Sequence, residues 1–427
     1  MSRWLQRLKP FATTATALGV VTALGGVAGV LASRTLGPYE RGLLATAVVW
    51  ASVLGFLVSV GVPQAATHFV AREPHRRAIF ASAGLVLGCV AGLVLAIGGA
   101  VGATIVVSGG ASFPMAIVFA AALPTVIGTV AIGIVLGTEA FWTWSVLRAV
   151  HPLIYLGGIV LIASTGGRTA VAVATVLAVA ALAQAALGLA ILRRRRLLAR
   201  PTRKAMQAII SYGWRNIVAG AGWLVSYRLD QLVLSVAASA SSLGVYAVAS
   251  SFGEVIVPMG TAAGSVMLAR VSAQGIGEVR RTLPLAIVVC VGVAGSLALF
   301  AFLLAPDLLR MLFGAKFSHA VSSLRILMPG AVALAVSTVL ADTLRGLRRP
   351  LVPAYAELAG ALTTGVLLVL LIPRLGIEGA AIASTVSYIT VTVCLAVSLR
   401  VQMRKSAAES RTNDLAETLS ATEIAEL

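Results

Sequence analysis

The stretch RRRRLLARPTRK, residues 193–204, packs seven cations into twelve positions almost midway along a 427-residue chain. In a soluble protein such a cluster points to nucleic acid. Its surroundings decide otherwise. The chain is 59% hydrophobic and 11% charged, against about 45–50% and about 25% in soluble domains. Apolar runs of bilayer-crossing length recur on both sides of the stretch. The sequence therefore describes an all-α polytopic membrane protein, and the basic stretch is read as a topology anchor and linker between two halves. A grip on anionic lipid headgroups is its second reading. The net charge of +18 belongs to membrane anchoring, so no nucleic-acid partner is expected.

Outward from this linker, hydropathy predicts six spans before it, at 11–33, 42–70, 78–107, 115–137, 148–165 and 170–192. Six more follow at 210–236, 243–268, 282–304, 320–341, 352–372 and 376–399. This divides the chain into an N-terminal six-helix lobe (1–192), a basic linker (193–209), a C-terminal six-helix lobe (210–399) and a polar tail (400–427). With the N-terminus cytoplasmic, 24 of the 33 Lys and Arg residues fall in cytoplasmic segments and 6 in external ones. That bias predicts cytoplasmic N- and C-termini in a multi-pass protein of the cell's inner membrane. The apolar run from Phe11 to Ser33, behind the basic opening MSRWLQRLKP, is too long for a signal-peptide core and is read as a retained helix.

The halves echo each other. GLLATAVVW (42–50) matches GVYAVASSF (244–252) in size and pattern, and each begins the second span of its half. Both spans carry a proline further on, Pro63 and Pro258. With six spans per half, both halves enter from the same side. They are then parallel repeats related by a pseudo-two-fold axis along the membrane normal, with a substrate site expected between them.

Several function classes lack their chemistry. Cys89, Cys290 and Cys394 have no metal-ligand spacing and an odd count. No phosphate-binding loop of ATPases, zinc-protease helix or hydrolase serine motif occurs. The external loops are too short for a catalytic domain. No enzyme activity, cofactor or metal is expected, and transport remains as the main reading.

Four segments carry a family resemblance: ASRTLGPYERGLLATA (32–47), DQLVLSVAASASSLGVYAVA (230–249), LLRMLFGAKFSHAVSSLRILMPG (308–330) and LVLLIPRLGIEGAAIAS (368–384). In this order they resemble bacterial Wzx-type polysaccharide flippases of the multidrug/oligosaccharidyl-lipid/polysaccharide (MOP) exporter superfamily. The resemblance implies two six-helix bundles in a V shape. It implies alternating access and a polyprenyl-diphosphate oligosaccharide as substrate, for cell-surface polysaccharide biosynthesis. Membrane lipids, a polysaccharide polymerase and glycosyltransferases are the implied partners. Export of drugs or small molecules within the same superfamily is the alternative reading. An embedded enzyme acting on polyprenyl sugars is the third.

A diphosphate needs a polar path with cations, and arginine's planar fork suits it. On the seventh span, at 100° per residue, Tyr212, Arg215, Asn216, Trp223, Ser226, Tyr227 and Asp230 share an arc of about 120°. Arg228 falls roughly opposite and is expected to pair with another helix or reach the external interface. Intramembrane charge usually faces a cavity or bundle interior. Tyr212, Arg215, Asn216 and Asp230 are therefore substrate-binding candidates. Arg148 and His151, expected to open the fifth span, join them, as does Arg325 in the tenth. Glu254 lies four residues before Pro258, whose ring displaces the Glu254 carbonyl from the helix ladder. Glu254, Asp230 and Pro258 are candidates for ion coupling or gating, with Arg228 as an alternative structural partner for Glu254. Arg34 and Arg41 flank TLGPYE and are expected to build an external turn, with Glu40.

Overall fold

A computed structural model describes the backbone of residues 2–106 and 110–425. Its side chains are described except for residues 2–18, 106, 216, 218–221, 223, 225, 226 and 406–425. Among the described residues the ordered elements are helices, without strands.

α1 (Ser2–Val58) would run about 85 Å as a straight rod, nearly three times the hydrocarbon thickness. It is not straight. Gly37 leaves the helical region at φ 75°, where a side chain would be strained, and Pro38 opens the next turn. Across this corner the Arg41 Nε donates to Ser33 Oγ at 3.0 Å, although eight residues separate them. The same economy appears in α13 (Leu351–Ala425), which breaks at Gly376. There Ser387 Oγ donates to the Gly360 carbonyl at 2.8 Å, 27 residues away, so the two arms lie side by side.

Between these lie α2 (Val62–Arg72), α3 (Arg77–Val106), α4 (Ser112–Ala120), α5 (Ala122–Gly137), α6 (Phe141–Thr165), α7 (Ala170–Arg194) and α8 (Arg203–Ala237). Then come α9 (Ala240–Gln274), α10 (Ile276–Leu303), α11 (Ala305–Leu312) and α12 (Ala320–Gly346). Among the described residues eight helices are long and apolar enough to cross a membrane, or nine with the bent α4–α5 pair as one span. Breaking α1 at Gly37 and α13 at Gly376 adds two. α8 adds one more, of ample length but made more polar by Arg215, Arg228 and Asp230. Every span of the hydropathy reading thus has its helix.

Several boundaries differ from that reading, and two of them bear on the candidate residues. α6 begins at Phe141, not 148, because Thr138 to Ala140 form the turn after α5 and the aromatic FWTW continues the helix. Arg148 and His151 therefore lie two to three turns inside α6 instead of opening it. α8 begins at Arg203 because the Thr202 hydroxyl accepts the Ala205 N–H, a true N-cap.

The chain forms two compact units. The first takes Met1–Leu224, Gln231–Val248 and Pro306–Val321. Among the described residues a large core joins α2, α3, α5, α6, α7 and the start of α8 through Val70, Phe80, Ile134, Leu147, Leu192 and Ile209, all nearly or fully buried. A tie between distant segments closes its other side. Glu40 Oε2 accepts the Ala170 N–H at 2.6 Å, so a carboxylate sits at the positive end of α7, next to the Thr169 cap. Arg34 Nη1 donates to the Met311 carbonyl of α11 at 3.2 Å.

The same unit contains two glycine seams. A Cβ on Gly42 would overlap the Ala240 carbonyl, and one on Gly244 would overlap the Pro38 carbonyl. Further along, Gly61 would meet the Gly213 carbonyl, and Gly213 the Val60 carbonyl. Small residues let membrane helices approach this closely.

The second unit comprises Val225–Asp230, Ala249–Ala305 and Ser322–Leu427. Its helices pack by backbone contact as well. Gly260 of α9 sits against Ala335 of α12. Thr385 and Thr392 of α13 donate to the Ile326 and Ala333 carbonyls of α12 at 2.7 and 2.8 Å.

Candidate functional site

A cavity of about 400 Å³ opens within the first unit. Its wall is built where helices break. α1 ends at Val58, Gly61 turns the chain at φ 61°, and α2 restarts with Pro63 in its first turn. Ser52, Ser59 and Gln64 face the cavity from this broken region. Thr125 and Thr129 come from α5, just past the bend after Ala120, and His151 comes from α6. Val48, Phe56, Leu95, Val118 and Leu177 form the apolar remainder. Among the described residues no Asp, Glu, Lys or Arg lines it. The chemistry on offer is neutral: hydroxyls, one amide and one imidazole in a mostly apolar pocket.

His151 is thus the sequence candidate that the cavity takes in. Its neighbour in sequence, Arg148, lies with its guanidinium 4.9 Å over the Trp144 ring, a cation–π arrangement that holds the charge on the helix surface. Pro152 in α6 releases the Arg148 carbonyl. One residue earlier, the Leu147 carbonyl receives the Gln184 amide at 3.0 Å. Gln184 was not singled out from sequence, since a lone amide in an apolar run gives no signal there.

The seventh-span stripe divides between environments. Tyr212 and Arg215 belong to the first unit, and both are exposed. Tyr212 stacks on His68 with centroids 4.4 Å apart and makes an edge contact with Phe69. The side chain of Asn216 lies outside the described residues, as do those of Trp223 and Ser226. Asp230 belongs to the second unit and is only 3% exposed. Its Oδ2 accepts the Ser384 hydroxyl at 2.9 Å.

Also in the second unit, Arg228 pairs with Glu254 at 3.4 Å and lies 5.2 Å over the Tyr227 ring. Two opposite charges inside the membrane thereby satisfy each other. Pro258 sits one turn further along α9, which remains a continuous helix across it. Arg325 is engaged elsewhere: its Nε donates to the Phe302 carbonyl at 3.1 Å near the end of α10, and its guanidinium lies 5.5 Å over the Phe302 ring. Among the described residues, no group of three or more His, Cys, Asp or Glu could hold a metal ion.

The fold, an all-helical chain of membrane spans interrupted by breaks, is shared with solved transporters of the MOP superfamily. Residues 8–269 match the family model described as polysaccharide biosynthesis protein, and the chain belongs to that family. Residues 218–371 also match the MatE model. No curated protein matches the sequence.

Solved structures agree on the fold. An inward-facing multidrug-resistance MATE transporter of the MOP superfamily superposes with a TM-score of 0.74 at 15% identity, over 92% of this chain and 98% of that one. The lipid II flippase MurJ, in an inward closed conformation, gives 0.75 at 14% identity, over 91% and 87%. A MOP-superfamily transporter from Pyrococcus furiosus, described as having reversed binding-pocket polarity, gives 0.58 at 16%, over 92% and 94%.

Proposed function

We propose that the protein flips a lipid-linked oligosaccharide, a polyprenyl-diphosphate sugar, across the cytoplasmic membrane by alternating access, for cell-surface polysaccharide synthesis. The observation that carries this reading is the lining of the first-unit cavity. Ser52, Ser59, Gln64, Thr125, Thr129 and His151 can exchange hydrogen bonds with sugar hydroxyls, and among the described residues no charge interrupts them. At about 400 Å³ the cavity falls within the range of ligand pockets. A cationic drug would favour a carboxylate, and the described residues of this wall include none. Membership of the polysaccharide biosynthesis family supports the same class of substrate.

The diphosphate then needs cations beyond the cavity, and Arg215, Arg148 and Arg325 are proposed for it, with Tyr212 and Asn216 beside Arg215. Asp230 and Glu254 are proposed as the groups that couple transport to an ion, with Pro258 as the pivot next to them. The two lobes are proposed to join at the 193–209 linker, with both termini cytoplasmic. A polymerase and glycosyltransferases are the partners this role requires.

Drug export is the second reading. The MatE match over residues 218–371 and the apolar part of the cavity wall favour it. Transport by the full chain in proteoliposomes separates the two. Flipping of a polyprenyl-diphosphate oligosaccharide without uptake of a cationic dye supports the flippase, and the reverse result replaces it with an exporter.

A further inference from the structure

The turn between α7 and α8 concentrates positive charge that nothing in the transport reading uses. Like charges packed in sequence normally repel and leave a segment loose. This segment is fastened. The Ala199 N–H donates to Ser82 Oγ of α3 at 2.9 Å. Arg195 Nη2 donates to Thr143 Oγ1 of α6 at 2.7 Å. Leu197 packs on the main core of the first unit, and Thr202 caps α8. Arg196 takes a left-handed φ of 56°, and its N–H closes on the Arg193 carbonyl at 3.1 Å.

On this fixed backbone Arg193, Arg194, Arg196, Arg200, Arg203 and Lys204 are all exposed. Among the described residues none of the six has an ion-pair partner. The repulsion that a rigid turn cannot relieve by extending must be relieved by anions. The turn lies where two spans leave the bilayer, and Leu198 (42% exposed) and Trp142 (78% exposed) stand out from the same end of the unit. An apolar or aromatic side chain beside cations at a span end fits the headgroup layer, not bulk water.

We infer that the 193–204 turn is a binding site for anionic phospholipid headgroups, whose phosphates are held by the exposed guanidinium forks. Arginine outnumbers lysine five to one among the six, as paired hydrogen bonding to phosphate oxygens favours. The occupant is the surrounding phospholipid of that leaflet and not the transported lipid, because the charge is spread along an outward-facing turn and encloses no cavity.

The test uses the full-length protein in neutral detergent, titrated with phosphatidylglycerol or phosphatidylcholine and read by native mass spectrometry. The expected result is binding of phosphatidylglycerol about tenfold tighter than phosphatidylcholine, which falls to near equality in the triple variant Arg194→Gln, Arg196→Gln, Arg200→Gln. Equal binding of both lipids by the natural sequence overturns the proposal, as does a triple variant that keeps the preference. A polyprenyl diphosphate added at equal concentration should leave phosphatidylglycerol bound; its displacement would reassign the site to the transported lipid. Should the triple variant not fold, Arg200→Gln alone carries the test, with an expected drop of a few-fold and the proposal overturned if the preference is unchanged.

Discussion

Gly42 and Gly244 occupy each other's mirror position: each leaves no room for a Cβ because of the carbonyl four residues before the other, Ala240 for Gly42 and Pro38 for Gly244. The contact is reciprocal, as at an isologous two-fold interface. These same glycines begin the matched segments GLLATAVVW and GVYAVASSF, so the sequence echo and the packing seam are one feature.

Reciprocity gives a specific expectation. Gly42→Ala and Gly244→Ala should each destabilise the protein by about 1–3 kcal/mol, as overpacking does. Because both open one seam, the double variant should cost less than the two together. Thermal unfolding in detergent measures this. Free tolerance of one substitution beside strong destabilisation by the other would contradict a two-fold seam.

How far the sequence reached can be judged at particular residues. Hydropathy placed a helix at each expected span because hydrocarbon demands about twenty mainly apolar residues from a helix that crosses it, and α8, with Arg215, Arg228 and Asp230, meets that demand least. The Gly37–Pro38 corner was legible from turn chemistry, and the basic turn from its charges. The start of α6 was not, since FWTWSVL is apolar enough to be loop-edge or helix and only the Thr138 to Ala140 turn decides. The Glu40 tie to Ala170 crosses 130 residues and leaves no local trace. At the candidate site, a helical wheel grouped Asp230 with Arg215. Wheel angles carry no information on which neighbour a residue meets, and the structure buries Asp230 against Ser384 while Arg215 stays exposed. His151 was a cavity candidate from sequence, whereas Ser52 and Thr125 were not, because single hydroxyls in spans usually bond their own helix, as these two do to the Val49 and Ala121 carbonyls.

Arg228 and Glu254 should behave as a pair. Arg228→Ala leaves a carboxylate in the membrane without this partner, and the yield of folded protein should fall, while Arg228→Ala with Glu254→Ala should recover much of it. The double-variant cycle should show a coupling of about 1 kcal/mol, modest because both side chains are partly exposed. Additive losses, measured by size-exclusion recovery after heating, would mean that the pair contributes nothing to the fold.

Asp230 offers a test of charge against shape. Asp230→Asn keeps an oxygen for the Ser384 hydroxyl but removes the negative charge. Stability should change by no more than about 1 kcal/mol, and Ser384→Ala should cost a similar amount through the lost hydrogen bond. If Asp230 couples transport to an ion, the Asn variant should lose the dependence of transport on that gradient and Ser384→Ala should keep it. Equal gradient dependence in the natural protein and the Asn variant would remove Asp230 from the coupling role.

His151 tests the cavity. His151→Phe keeps a planar ring in α6 and removes the hydrogen-bonding nitrogens. Flipping of the oligosaccharide-linked lipid should fall about tenfold, the worth of one hydrogen bond to substrate that is stronger in the rate-limiting step than at rest. A polyprenyl diphosphate without sugar should be moved equally by both proteins. Loss with both lipids alike would place His151 in the packing of α6 and not in sugar recognition.

Arg215 stands one turn after Tyr212, on the stretch of α8 that stacks against His68. Being exposed, Arg215 gives up little packing when truncated, so Arg215→Ala should fold normally. If its guanidinium meets the diphosphate, flipping should drop about ten- to a hundredfold, since a charge-assisted hydrogen bond is worth about 1.5–3 kcal/mol. Arg215→Lys should recover part of this, because the charge returns without the fork. Tyr212→Phe, which keeps the stack on His68, should leave flipping near its normal rate if the tyrosine serves packing. The measurement is initial flipping rate in proteoliposomes per folded molecule. Should Arg215→Ala flip at the normal rate while Arg148→Ala or Arg325→Ala is impaired, the diphosphate contact would pass to the impaired residue, and the exposed Tyr212 and Arg215 would be left as membrane-surface groups.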